Sequence, residues 1–310
     1  MAPPVLSVSW SRLKAYEECR QKVLRTMQGR SSGVKNGRIF LPGTLADRAM
    51  RRWLEEDDPQ PGGMHAHVPE LFEEHTGEDA EYIIKWRGDV AADKRAVRDQ
   101  VRECLDNLEP LLVEKVLPFR YQPELKFRTT IGIPYLDGEP VRVDLIGGID
   151  IVVQDDEDNF GIFDLKNTRN DAYVRGATLG QLTFYTIAWG AYIGDPAQPK
   201  QAAFLTPLCQ EKYVPVVVGP EERRVMMARL TEYCHGVWRE EWTPTDVDSF
   251  CYNCDVKHAC DRFALPTTGT AGKNRASFAA ASAARSTYAK KRESDDNNAS
   301  GVAELTGTGG

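Results

Sequence analysis

The chain has 310 residues, of which 27% are charged and 41% hydrophobic, and its formal net charge is −7. This length suits one large domain or two ordinary ones, and the composition excludes collagen-like, coiled-coil and wholly disordered proteins. No apolar run approaches the roughly 20 residues of a membrane-spanning helix, and the first ten residues show neither a basic start nor an apolar stretch. We therefore expect a cytoplasmic protein without a membrane partner.

Charge is distributed unevenly along the sequence. Residues 1–52 carry 11 Lys and Arg against 3 Asp and Glu, a net charge of +8, whereas residues 53–270 carry 22 against 39, a net charge of −17. A basic segment in an acidic protein offers one approach to a polyanion, but an uneven surface without a binding role has the same appearance. The total charge alone therefore does not exclude a nucleic-acid partner.

Hydrophobic periodicity and turn residues predict a helical N-terminal part followed by an α/β core. The predicted helices cover residues 9–28, 44–56, 80–117, 176–192 and 220–241, and residues 57–79 form a predicted loop. The predicted strands cover residues 124–133, 141–153, 160–167, 201–208 and 213–218. The resulting divisions are 1–120 for the helical region, 121–264 for the core with a cysteine loop, and 265–310 for a disordered tail rich in Ala, Ser, Thr and Gly.

Two carboxylates and a lysine lie on neighbouring predicted strands. Asp150 lies inside an apolar strand, and Asp164 and Lys166 share one face of the next strand because side chains alternate along a strand. The two carboxylates, with the backbone carbonyl of Leu165, suit a hard cation such as Mg²⁺, and the lysine suits a water or phosphate beside it. A buried Asp–Lys salt bridge without catalysis explains the same residues.

Three of the seven cysteines lie close together, at Cys251, Cys254 and Cys260. Thiolates at such spacing bind zinc or iron–sulfur clusters, and the fourth ligand is either His258 or the distant Cys19. Reduced cysteines without a metal are the alternative. For the remaining three cysteines we expect plain core or surface positions.

The motif order resembles that of the PD-(D/E)xK nuclease superfamily. Gly147-x-x-Asp150, Asp164-x-Lys166 and Gln181-x-x-x-Tyr185 follow one another as in its RecB-like exonucleases. The resemblance implies a restriction-endonuclease-like mixed central sheet flanked by helices. It also implies that Asp150, Asp164 and Lys166 are catalytic with Mg²⁺ or Mn²⁺, and that Gln181 and Tyr185 face the catalytic sheet and the DNA.

The first predicted helix extends the resemblance. Its sequence from Ser7 to Cys19 is similar to the opening helix of RecB-like nucleases that carry an iron–sulfur cluster, as in the CRISPR-adaptation and AddB-type nucleases. The resemblance implies an N-terminal helical arm joined to the C-terminal cysteines by a [4Fe–4S] cluster, with Zn²⁺ as the alternative. Its four ligands are Cys19, Cys251, Cys254 and Cys260.

One motif departs from the family pattern. The family usually places a histidine after G-x-x-x on an early helix, whereas here the segment is Gly43-Thr-Leu-Ala-Asp47. A carboxylate also ligates Mg²⁺, so we predict Asp47 as a third metal ligand, with a solvated Asp paired to Arg48 or Arg51 as the alternative. Glu124 is a weaker candidate, for which a surface or structural role is favoured.

These features predict a metal-dependent DNA exonuclease acting in DNA repair, recombination or CRISPR spacer acquisition. Its expected partners are single-stranded DNA or duplex ends, together with recombination, helicase or CRISPR integration proteins. A non-catalytic DNA-binding or assembly subunit with a degraded nuclease core is the alternative, and the oligomeric state is left open. Candidate phosphate contacts are Arg20, Arg25, Arg48, Arg51, Arg52, Arg169 and Arg175. For His65, His67 and His75 we expect solvated positions in a loop.

Overall fold

The computed structural model describes residues 5–30, 37–77, 84–135, 139–177, 179–194, 199, 201–247, 251 and 254–262. The tail predicted at 265–310 lies outside the described residues. Within the described part of the chain, no helix is long and apolar enough to cross a bilayer.

A mixed six-stranded sheet forms the centre of the fold. Its strands are β1 (Leu6–Val8), β2 (Arg120–Ile133), β3 (Val141–Gln154), β4 (Phe160–Leu165), β5 (Gln201–Leu205) and β6 (Tyr213–Pro215). Strand β3 pairs along its whole length with antiparallel β2, and its other edge pairs first with parallel β1 and then with antiparallel β4. Strand β5 continues the sheet parallel to β4, and β6 pairs antiparallel with β5 at the edge of the sheet. The long β3 strand therefore holds the sheet together.

Helices cover both faces of this sheet. They are α1 (Trp10–Glu18), α2 (Arg20–Met27), α3 (Gly37–Leu54), α4 (Gly63–Thr76), α5 (Val90–Lys115), α6 (Asp171–Ala177), α7 (Leu179–Ile193) and α8 (Pro220–Trp238), with a short 3₁₀ turn at Lys257–Ala259. One hydrophobic core, the α7-side core, combines α1, α7 and α8 with the sheet. The other, the α3-side core, combines α3, α4 and α5 with the opposite face. The predicted mixed sheet flanked by helices is confirmed.

Several local predictions differ from the structure. The predicted loop at 57–79 contains helix α4, because Met64, Leu71 and Phe72 bury one apolar face that the surrounding polar residues disguise. His75 is only 7% exposed there, so the prediction that it lies solvated in a loop is wrong. The single helix predicted at 9–28 is two helices, because the backbone at Cys19 is extended and separates α1 from α2.

Strand β3 changes its facing pattern at one position. Ile149 and Val152 lie in the α7-side core, whereas Ile151 and Val153 lie in the α3-side core. In a regular strand, residues two apart share a face, so the alternation shifts by one residue at Asp150. The shift marks the part of the sheet where the candidate site lies.

Candidate active site

Asp150 and Asp164 face each other across two neighbouring strands. The register of β3 and β4 pairs Ile151 with Phe163, which places Asp150 opposite Asp164 at the next position. The N–H of Leu165 donates to Asp150 Oδ2 at 2.9 Å. Asp164 is 2% exposed, whereas the Asp150 side chain is 22% exposed. The hairpin thus places two carboxylates at one point, one sealed and one reachable from solvent.

Lys166 follows β4 directly and joins this pair. Its N–H donates to the carbonyl of Leu205 at 2.8 Å, which extends the pairing with β5 beyond the end of β4. Its ammonium makes an ion pair with Asp164 and lies 5.6 Å from the centre of the Phe204 ring. The Asp–Lys salt bridge considered from the sequence is present, and it lies beside the second carboxylate rather than apart from it.

Helix α7 presents its Gln and Tyr to the same carboxylate. Gln181 Nε2 donates to Asp164 Oδ1 at 2.7 Å and lies 2.9 Å from the Tyr185 hydroxyl. Their i, i+4 spacing places both side chains on one helix face. Both are 8% exposed, and the Tyr185 ring packs edge-on against Phe127 of β2. The Q-x-x-x-Y element therefore contacts the catalytic sheet through a direct hydrogen bond to Asp164.

Helix α3 adds Asp47 and Arg51 from the other side of the sheet. Arg51 binds both carboxylate oxygens of Asp47, through Nε to Oδ1 at 3.1 Å and Nη2 to Oδ2 at 2.8 Å. It also makes an ion pair with Glu124, and its Nη2 lies 3.7 Å from Asp150 Oδ1. Asp47 thus lies close to the strand carboxylates and is paired with Arg51, as the alternative prediction had it, while its role as a metal ligand stays a prediction.

The site carboxylates perturb one another. Burial, with a smaller opposing effect of Lys166 and a further repulsion from Asp150, raises the pKa of Asp164 to about 7. Burial and the charge of Asp150 raise the pKa of Asp47 to about 6 against the attraction of Arg51. Burial also raises the pKa of Asp150, although the Leu165 N–H bond opposes it. Carboxylates that share a site and resist ionisation are typical of a position where a cation binds.

The chemistry of these donors fits a divalent cation, although their arrangement is not closed around one. Carboxylate oxygens are the ligands that Mg²⁺ and Mn²⁺ prefer. Among the residues that the structure describes, no group of three or more His, Cys, Asp or Glu is arranged to hold a metal ion. The guanidinium of Arg51 lies between Asp47 and Asp150, which accounts for the open arrangement. The N–H of Leu165 donates to Asp150, and the Leu165 carbonyl stays a predicted metal ligand.

The cysteines bring the N-terminal arm and the C-terminal segment together. The N–H of Thr245 donates to Cys19 Sγ at 3.5 Å, and Arg262 lies 3.0 Å from the Thr245 carbonyl and 3.7 Å from Cys251 Sγ. Cys260 donates to Gln21 Oε1 at 2.9 Å. All seven cysteines are free. The arm and the cysteine loop are therefore in contact through hydrogen bonds, and within the described residues the cysteines do not form a group arranged to hold a metal ion.

Each of the candidate DNA-binding arginines contacts a carboxylate of the chain itself. Their partners are Glu232 and Glu241 for Arg20, Asp261 for Arg25, Glu74 for Arg48, Glu70 and Glu74 for Arg52, Glu103 for Arg169 and Glu211 for Arg175. Only Arg51 reaches the carboxylate site. A neighbouring carboxylate offsets the charge of each of these arginines, and their role toward phosphates stays a prediction.

Two site features were missed by the sequence analysis. Arg51 was considered as a phosphate contact and as a partner of Asp47, but its contacts with Glu124 and Asp150 were not predicted. Asn167 follows Lys166, and both polar atoms of its buried carboxamide are without a hydrogen-bond partner. The Cα of Gly43 on α3 approaches Asn167 so closely that a Cβ there would lie 3.6 Å from the Asn167 Cβ. The close approach of α3 to the end of β4 could not be inferred from local pattern.

Comparison with known proteins assigns the family. A family model described as the PD-(D/E)XK nuclease superfamily matches residues 7–261. The chain belongs to this superfamily. Membership supports a deoxyribonuclease-type activity on DNA, and nucleases of this superfamily typically use Mg²⁺ or Mn²⁺.

Further comparisons add little to this assignment. No curated protein matches the chain. A solved structure described as "Crystal structure of SSO0001" is 9% identical, with a TM-score of 0.39, and the match covers 84% of this chain and 89% of that chain. A likeness this distant supports no conclusion about function.

Proposed function

We propose that this PD-(D/E)XK nuclease is a Mg²⁺- or Mn²⁺-dependent exonuclease that hydrolyses DNA phosphodiester bonds. The observation that carries the proposal is the convergence on Asp164. Asp150 stands opposite it, Lys166 makes an ion pair with it, and Gln181 donates a hydrogen bond to it. Three residues, from β3, from the segment after β4 and from α7, would not need to meet at one buried carboxylate in a DNA-binding subunit without catalysis.

The roles of the residues follow from their environment. Asp150 and Asp164, with Asp47 from α3, would hold the cation, which supplies charge stabilisation at the phosphate and a more acidic bound water. Lys166 has the position to orient the attacking water or to offset charge that develops on the phosphate. Gln181 fixes the carboxylate plane of Asp164 through its 2.7 Å hydrogen bond, and Tyr185 packs behind it.

The RecB-like subtype and the exonuclease mode belong to this proposal. The contact of the Q-x-x-x-Y element with Asp164 supports the subtype, and the subtype favours attack from DNA ends. DNA repair, recombination or CRISPR spacer acquisition in the cytoplasm is the proposed setting, with helicase, recombination or CRISPR integration proteins as partners. The proposed division of the chain remains 1–120, 121–264 and 265–310.

A test of the activity uses end-labelled linear DNA, single- or double-stranded, and covalently closed circular DNA with Mg²⁺ or Mn²⁺. We expect the wild type to degrade the linear forms and to spare the circle, while Asp164→Ala and Lys166→Ala are inactive. Asp158→Asn is the matched control, because Asp158 lies at the turn between β3 and β4 and its side chain is 77% exposed. Cleavage of the circle at the same rate would contradict the exonuclease mode, and equal cleavage by all variants would contradict the site.

We also propose a structural [4Fe–4S] cluster held by Cys19, Cys251, Cys254 and Cys260, with Zn²⁺ as the alternative. The support is that Gln21, two residues after Cys19, contacts both Cys260 and Asp261, which brings the arm to the cysteine loop. Anaerobic purification followed by absorption spectroscopy and metal analysis tests it. Broad visible absorption with about four irons per chain is expected, and a colourless protein with zinc or without metal would contradict the cluster.

A further inference from the structure

Arg51 occupies the space between the carboxylates of the site. Its guanidinium binds Asp47 through two nitrogens, makes an ion pair with Glu124, and reaches Asp150 at 3.7 Å. The Arg51 side chain is 21% exposed, so these contacts are partly shielded from water. A bidentate contact engages one acceptor site on each oxygen of Asp47, so a metal that binds there has to share these oxygens with the guanidinium or displace it.

Glu124, which makes an ion pair with Arg51, has an uncommon backbone conformation. Its φ is +48°, in the left-handed region that a non-glycine residue rarely adopts. The ladder pairs Pro123 with Ile151 and Leu125 with Ile149, so Glu124 stands opposite Asp150. The unusual conformation and the shift in the facing pattern of β3 therefore coincide. Together they build a second, separate anchor for Arg51 beside Asp150.

The charges of the cluster leave room for one divalent cation. Four carboxylates, at Asp47, Glu124, Asp150 and Asp164, meet two cations in contact within the site, Arg51 and Lys166. When all four carboxylates are ionised, the remaining charge of −2 equals that of one Mg²⁺ or Mn²⁺ in magnitude. Lys126 Nζ also lies 3.4 Å from Glu124 Oε1, but the Lys126 side chain is 78% exposed, so water screens its charge.

We propose that Arg51 takes the place of the divalent cation in the metal-free protein and withdraws to Glu124 when a metal binds. Arg51 would then be a positioning residue that competes with the metal for Asp47 and Asp150. The inference rests on the proposed metal-dependent nuclease function. If this is so, the affinity of the protein for the metal, and not only its folding, depends on the charge and the planar guanidinium of Arg51.

Isothermal titration of the full-length, metal-stripped protein with Mn²⁺, without DNA, tests this competition. Removing the guanidinium in Arg51→Gln should tighten Mn²⁺ binding by about tenfold or more, since a close, partly buried cation is lost from the ligands. Arg51→Lys keeps the charge but lacks the planar fork that binds both Asp47 oxygens. It should also tighten binding, by roughly threefold. Lys126→Gln removes a positive charge beside Glu124 and should stay within about twofold of the wild type, because an exposed charge is screened.

The outcomes separate the inference from the proposed function. Tighter binding in both Arg51 variants supports competition. Tighter binding in Arg51→Gln with wild-type affinity in Arg51→Lys would show a general field effect and overturn it, as would unchanged or weaker binding in both. Asp164→Asn tests the site itself: if the wild type binds Mn²⁺ and Asp164→Asn binds it equally well, the proposed metal site fails. If Arg51→Gln does not fold, as judged by circular dichroism, the charge-conserving Arg51→Lys decides the question.

Discussion

At the scale of single residues, Asp164 links the stability of the fold to pH. Its folded-state pKa of about 7 lies above the ordinary value of 3.8, so the metal-free native state binds its proton more tightly than the unfolded chain. This contribution to stability is fully present below about pH 4 and is lost as the pH rises through 7. In EDTA, Asp164→Asn should therefore gain stability relative to the wild type between pH 5 and pH 8, as measured by urea unfolding. A stability difference that does not change with pH would contradict the assignment.

Gln181 provides a second test at the same scale, because its side chain donates a hydrogen bond to Asp164. Replacing it with Leu removes the 2.7 Å hydrogen bond, so we expect kcat to fall by about 10- to 100-fold, the usual effect of losing a group that orients a metal ligand. DNA affinity measured in Ca²⁺ should stay near the wild-type value. Gln154→Leu is the control, since Gln154 bonds to the exposed Asp158 at the far end of β3. A loss of DNA affinity in place of kcat would assign Gln181 to the substrate instead.

At the scale of elements, two helix glycines differ in how much space they leave for a side chain. A Cβ on Gly43 of α3 would lie at ordinary contact distance from Asn167, 3.6 Å, so Gly43→Ala should stabilise the protein by roughly 0.5–1 kcal/mol through helix propensity. A Cβ on Gly236 of α8 would lie 1.7 Å from the Tyr16 hydroxyl, so Gly236→Ala should destabilise by roughly 1–3 kcal/mol. Urea unfolding measures both, and adding Tyr16→Phe should recover part of the second loss. Equal effects would contradict the α1–α8 packing.

The sequence predicted those elements of the site that depend on local spacing. The two-residue period aligned Asp164 with Lys166, the short hairpin brought Asp150 opposite them, and the four-residue helical period paired Gln181 with Tyr185. The left-handed Glu124 and the position of Arg51 depend on how α3 crosses β2 and β3, which no local pattern encodes. The prediction of a loop at 57–79, where α4 lies, was wrong for a local reason. Pro, Gly and charged residues in this stretch outnumber the apolar residues that α4 buries.

At the scale of the whole molecule, the acidic middle of the chain neutralises much of the basic N-terminal segment. Arg20 pairs with Glu232 and Glu241, and Arg48 and Arg52 share Glu74. The +8 excess of residues 1–52 therefore serves in part to join the helical arm and α3 to the rest of the fold. This pairing explains why a charge count along the sequence overstates the basic surface that is free to meet DNA.

The attachment of the arm makes its own prediction. Gln21 is 1% exposed, and its carboxamide oxygen accepts from the Asp261 N–H and the Cys260 thiol, both at 2.9 Å. Gln21→Ala leaves these groups without a partner and should lower the free energy of unfolding by about 1–3 kcal/mol. The segment after α8 should also become more sensitive to limited proteolysis. Gln28→Ala, at the end of α2, is the control, and equal resistance of both variants to protease would contradict the contact.

The measurement that tests the central claim most directly is cleavage by Asp164→Asn compared with its DNA binding. At saturating linear DNA and Mg²⁺, we expect the cleavage rate to fall at least about 1,000-fold, or roughly 4 kcal/mol of transition-state stabilisation, because the buried metal ligand is lost. DNA affinity should stay within about twofold of the wild type, and the circular dichroism spectrum should not change. A variant that folds, binds DNA and still cleaves at the wild-type rate would contradict the assignment of Asp164 to a metal-dependent nuclease centre.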